Sequence, residues 1–218
     1  MINDVKLALD RAGAKMRFFS RKAELSTPAL QVLAEYEEAY GVKKDSNPVR
    51  EAVMLVLFKN SVESEVAPAL VPSIDSQVLL GKHSSKSLWA ANSFVPLGGV
   101  IRYEDFEGCE TLQEVFSKTL SRELREDVGI DGSYISHSYA GSFYDSKLDF
   151  TVHAFSGFVV CDPDKDCSEQ HFAQVSFVPK SKEHQCFSWV PVEQALSSKS
   201  VHKTSKHIIR TVLKRNAF

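Results

Sequence analysis

The chain has 218 residues, of which 43% are hydrophobic and 25% charged, with a formal net charge of -2. That composition suits a globular core, excludes a disordered chain, and gives no overall electrostatic reason to expect nucleic acid as a partner. No run reaches the roughly 18–20 apolar residues a membrane span needs. Residues 1–19 carry Asp4, Lys6, Asp10, Arg11, Lys15 and Arg17, so they lack the apolar region of a signal peptide, and a cytoplasmic location is expected.

In chain order, residues 1–46 read as a helical extension. Val5, Leu7, Ala8, Leu9 and Ala12 recur at helical spacing. Ser26-Thr27-Pro28 then resembles a helix start and Gly41 a stop. The extension carries no recognisable chemistry and is expected to pack on the following domain or on a second subunit, which leaves a homodimer open. Asn47-Pro48 marks a boundary, so the second domain is 47–218. Residues 52–58 form a continuous apolar run, fit for a strand buried on both faces. Shorter strand candidates follow at 67–71 and 77–80, with a polar loop at 82–87, and 89–95 leads into a sharp break at Pro96-Leu97-Gly98-Gly99.

Residues 111–128 make the strongest helix, because Thr111 and Glu114 have capping-box spacing and Gly129 terminates it. Strands are expected at 138–143, 150–160, 174–178 and 187–190, with a charged loop at 163–169. A short helix at 192–196 and a basic amphipathic helix at 201–216 close the chain. The order describes an α/β fold with a mixed sheet covered by helices. Cys109, Cys161, Cys167 and Cys186 form no C-x-x-C pair, so they read as reduced thiols with packing roles.

The long helix is where chemistry surfaces. At about 100° per residue, with Glu123 at zero, Phe116 falls near 20°, Leu120 near 60° and Leu124 near 100°. Asp127 lands near 40°, inside this apolar stripe, and Glu126 near -60°. Carboxylates crowded on a core-facing stripe are unfavourable through desolvation and repulsion, so something must compensate. A hard divalent cation would do so with oxygen ligands. Arg122 and Arg125 would do so with salt bridges. Periodicity leaves both open.

Gly108, Glu114, Arg122-Glu123-Leu124, Glu126-Asp127 and Gly129-Ile130 resemble the Nudix signature G-x5-E-x7-R-E-U-x-E-E-x-G-U, where U is a bulky apolar residue. Every defined position agrees except one, where Asp127 stands for a glutamate. The order of elements from about 50 to 197 is also similar to that family, which implies a Nudix-like α/β/α sandwich behind the helical extension. Two alignments compete at the front of the motif. In one, Gly108 and Glu114 are the motif residues. In the other, favoured because Thr111 caps so well, Gly98-Gly99 is the family's glycine pair, 100–107 and a lengthened helix are an insertion, and Glu110 lies in the turn before the cap.

The resemblance implies hydrolysis of a diphosphate joined to another group, most often in a nucleoside diphosphate derivative, with Mg2+ or Mn2+ as cofactor. It assigns metal to Glu123, Glu126, Asp127 and the Gly99 carbonyl, and an orienting role to Arg122. It also places a general base in a later loop: Glu183, ahead of Trp189-Val190, is the first candidate and Glu169 the second. His83, His137 and His153 form no metal pattern. Trp89, Phe143 and Tyr144 are candidates to stack a base, although aromatics at such positions more often belong to the core. Two other readings stand beside the enzyme. One is a Nudix-fold nucleotide-binding module with weakened catalysis, favoured by Asp127. The other is a nucleic-acid or partner-binding protein using Lys203, Lys206, Arg210, Lys214 and Arg215 of the last helix.

Overall fold

A computed structural model describes residues 51–59, 72–87, 90–132, 135–145, 150–159 and 177–215, together with Gln31, Val32 and Ala34. Those three isolated positions are helical and Val32 is buried. The rest of the expected extension, the boundary at Asn47-Pro48 and the strand candidate at 67–71 lie outside the described residues. So do Trp89, the loop at 163–169 with Glu169, and most of 174–178, of which Phe177 and Val178 are not in a strand. Two compact units are distinguished, one containing Val100–Thr119, the other Ala52–Gly99 and Leu120–Phe218.

Seven strands among the described residues, β1 (Glu51–Lys59), β2 (Gln77–His83), β3 (Phe94–Val95), β4 (Leu97–Val100), β5 (Ile135–Asp145), β6 (Phe150–Val159) and β7 (His184–Pro191), share one mixed sheet in the order β3-β2-β1-β6-β5, with β4 paired to β1 and β7 to β2. The strand β1 (Glu51–Lys59) is buried along almost its whole length, as its apolar run predicts. It pairs antiparallel with β2 (Gln77–His83), which pairs in turn with β3 (Phe94–Val95) and β7 (His184–Pro191). The long ladder of β5 (Ile135–Asp145) and β6 (Phe150–Val159) is antiparallel as well. The expected break at Pro96-Leu97-Gly98-Gly99 is instead a strand, β4 (Leu97–Val100), because Gly98 at φ +135 and its neighbour let the backbone approach β1 closely. A Cβ at Gly98 would collide with the Val53 carbonyl.

Alternation along β1 sends Ala52, Met54, Val56 and Phe58 into one apolar cluster. Two helices complete it: α3 (Val192–Ser197) through Val192 and Ala195, and α4 (Lys203–Arg215) through Ile208, Ile209 and Val212. Val53, Leu55 and Leu57 are equally buried on the opposite face. Lys203, Arg210, Lys214 and Arg215 remain on the exposed side of α4. None of the helices among the described residues is long and apolar enough to cross a membrane.

The unit that contains Val100–Thr119 holds a short helix, α1 (Tyr103–Phe106), inside the stretch read as an insertion. Its buried Asp105 accepts hydrogen bonds from the Arg102 amide at 2.8 Å and the Thr119 hydroxyl at 3.0 Å, so this carboxylate is satisfied internally. Helix α2 (Leu112–Asp127) follows. Its capping box closes in both directions: the Glu114 amide donates to Thr111 Oγ1 at 3.3 Å, and the Thr111 amide donates to Glu114 Oε2 at 3.1 Å. The helix ends on Gly129 at φ +72, whose amide donates to the Arg125 carbonyl, and the Ile130 amide donates back to the Leu124 carbonyl. Cys109 and Cys186 are free thiols.

Candidate active site

The apolar stripe on α2 forms as its periodicity requires. Phe116, Leu120 and Leu124 are buried, and so are Glu123 and Asp127. Glu126 lies at the edge, its side chain 43% exposed. Arg122 joins the first and third carboxylates: its Nη1 contacts Glu123 Oε1 directly and stands 3.5 Å from Glu126 Oε2, one helical turn on. The salt-bridge compensation left open by periodicity is therefore present. It comes from Arg122, while Arg125 turns to the exposed Asp131.

Gly99 of β4 closes against Glu123. A Cβ at that position would overlap the carboxylate, 2.6 Å from Oε2 and nearer still to Oε1. By contrast, a Cβ at Gly108 would meet nothing within 4 Å. The second carboxylate of the stripe has different company. Asp127 Oδ1 accepts a hydrogen bond from Ser181 Oγ at 3.0 Å and lies 3.5 Å from His184 Nδ1, and the Asp127 carbonyl accepts from the Lys180 amide at 2.8 Å. Among the described residues, no three His, Cys, Asp or Glu side chains form a group that could hold a metal ion.

Glu183 lies between Ser181 and His184, with its side chain 57% exposed. Its carbonyl accepts from the Ser84 amide at 2.7 Å, and its Oε1 is 3.8 Å from His83 Nε2. The His83 and His184 rings meet edge to face at 4.7 Å. His184, buried, has its Nδ1 within ion-pair reach of Asp127 but outside hydrogen-bond geometry, and neither ring nitrogen makes a hydrogen bond. Gly81 makes room for this ring, since a Cβ there would come within 2.5 Å of His184 Cδ2.

His83, Ser181 and His184 are the residues that sequence reading did not connect to Asp127 and Glu183. Ser181 is 54 positions from Asp127, and no periodic pattern links a helix end to a distant polar turn. The other candidates are dispersed. His153 is fully buried, Phe143 packs against His207 with ring centroids 4.3 Å apart, and Tyr144 is exposed. His137 is half-buried, and burial holds its imidazole below the usual histidine range. Burial likewise pushes the Cys109 thiol up.

No family model and no curated protein matches the chain. Solved structures do. A Nudix hydrolase from Alicyclobacillus acidocaldarius aligns over 78% of this chain and 94% of its own, with 12% identity and a TM-score of 0.53. A MutT protein from Methanosarcina mazei Go1 aligns over 78% of this chain and 97% of its own, with 18% identity and a TM-score of 0.49. The mixed sheet, its helices and the first of these likenesses establish that the chain has the Nudix fold.

Proposed function

We propose that this chain is a metal-dependent hydrolase of a diphosphate linkage in a small nucleoside-diphosphate-type substrate. The observation that carries the reading is the buried Glu123 carboxylate, set between the Arg122 guanidinium and the bare backbone of Gly99. A buried charge needs charged company, and a glycine leaves space at the carboxylate that any side chain would fill. That cradle suits a hard cation. Glu123 and Glu126 would hold Mg2+ or Mn2+, with the Gly99 carbonyl beside them. Such an ion, when bound, neutralises phosphate charge and makes a bound water more acidic.

The chain's own groups divide the remaining work. Arg122 holds Glu123 and Glu126 in fixed relation. Glu183, mostly exposed on its loop, takes the proton as water oxygen bonds to phosphorus and the bridging P–O bond breaks toward the leaving phosphate. The engaged Asp127 favours a second reading, a nucleotide-binding module with weakened catalysis. A panel of nucleoside diphosphate derivatives, assayed with Mg2+ or Mn2+ against a chelator control, decides between them. Hydrolysis that the chelator abolishes and Glu123→Gln reduces by orders of magnitude supports the enzyme. Nucleotide binding without turnover supports the module. Within the enzyme reading, Glu183→Gln lowers kcat about 10²–10⁴-fold, and a loss below about tenfold removes Glu183 as the base.

A further inference from the structure

We infer that the Asp127 carboxylate positions the segment bearing Glu183, through Ser181 and His184, and is not part of the metal-holding set. The inference deepens the proposed hydrolase reading and rests on it for its catalytic consequence.

Asp127 grips this segment twice. Its side chain accepts from Ser181 Oγ at 3.0 Å and its carbonyl accepts from the Lys180 amide at 2.8 Å. Two consecutive residues of the segment are thus tied to the last residue of one helix. The side chain is only 5% exposed, so these bonds are shielded from water. On the far side of Glu183, His184 brings Nδ1 to 3.5 Å from the same Oδ1. The ring packs closely on Gly81 of β2, where an added Cβ would stand 2.5 Å from its Cδ2. The Glu183 carbonyl is held separately by the Ser84 amide at 2.7 Å. Glu183 is consequently fixed in its backbone on both sides while its carboxylate stays mostly exposed, as a proton acceptor facing a substrate requires.

Side-chain length points the same way. Aspartate is one methylene shorter than the glutamate expected at this position, and its Oδ1 meets Ser181 at ordinary hydrogen-bond distance. A glutamate there would need Ser181 or the closely packed His184 ring to give way. The Asp-for-Glu exchange is therefore matched to the partners of the segment.

Three readouts on the full chain test this: kcat and KM on a hydrolysed diphosphate, the Mg2+ activation constant, and amide hydrogen exchange at 181–184. Ser181→Ala is expected to lower kcat about tenfold with KM and the Mg2+ constant within twofold, and to speed exchange at 181–184. Ser181→Thr, which keeps the hydroxyl, restores both. Asp127→Asn is expected to leave the Mg2+ constant within twofold. An Asp127→Asn variant that needs at least tenfold more Mg2+, beside a Ser181→Ala variant with parental kcat, overturns the inference and returns Asp127 to the metal. If the parent hydrolyses nothing, the hydrolase reading fails on its own. Exchange then decides the positioning, with parental rates in both variants overturning it and accelerated rates upholding it.

Discussion

Gly99→Ala is the sharpest perturbation the geometry offers. The added Cβ would stand 2.6 Å from Glu123 Oε2 and nearer still to Oε1, where ordinary van der Waals contact begins at 3.4 Å, so the carboxylate must retreat by more than about 0.8 Å. Glu123 has little freedom to do so, since its side chain is 10% exposed and bonded to Arg122. Overpacking of this kind costs about 1–3 kcal/mol. At ~2–4 °C per kcal/mol for a chain of this size, Tm falls by about 2–12 °C. A displacement approaching 1 Å at a reacting centre lowers kcat by ~10- to 100-fold. The control is Gly108→Ala, where the new methyl meets nothing within 4 Å and only the left-handed backbone at φ +72 resists, at about 1–2 kcal/mol. It leaves kcat within twofold. Thermal unfolding and hydrolysis of the same diphosphate, measured on both variants, provide the comparison. Parental Tm and kcat in Gly99→Ala, or a larger loss of activity in Gly108→Ala, would refute the placement of Gly99 at the site.

Thr111→Ala removes the hydroxyl that accepts from the Glu114 amide and should cost about 0.5–2 kcal/mol, seen as a Tm lower by roughly 1–8 °C. Activity is expected to stay close to that of the parent, because the opposite end of α2 carries Glu123. For His137 the folded pKa lies below its ordinary value of about 6.5, so the unfolded chain takes up the proton first. Its contribution to stability is complete above that value and is lost as pH falls below it. Tm should therefore decline on acidification, and His137→Gln should flatten that decline between pH 7 and pH 5.5; an identical slope in the variant would exclude His137 as a source.

Most of the elements and their faces were legible in the chain's local patterns. The apolar run of β1, the capping box at Thr111, the Gly129 stop and the buried stripe of α2 are all local or periodic properties, written in residues a turn or two apart. They were sufficient to place Glu123 and Asp127 on a core-facing side and Glu126 at its edge. The company each carboxylate keeps came instead from packing across the fold. It set Gly99 against Glu123 across a strand that local reading took for a break, and it set Ser181 and His184 against Asp127 across 54 or more positions of chain. The physical reason is range. Backbone propensity and amphipathic period act between near neighbours, whereas a buried carboxylate finds its partners through the packing of sheet and helix, which no period in the sequence records.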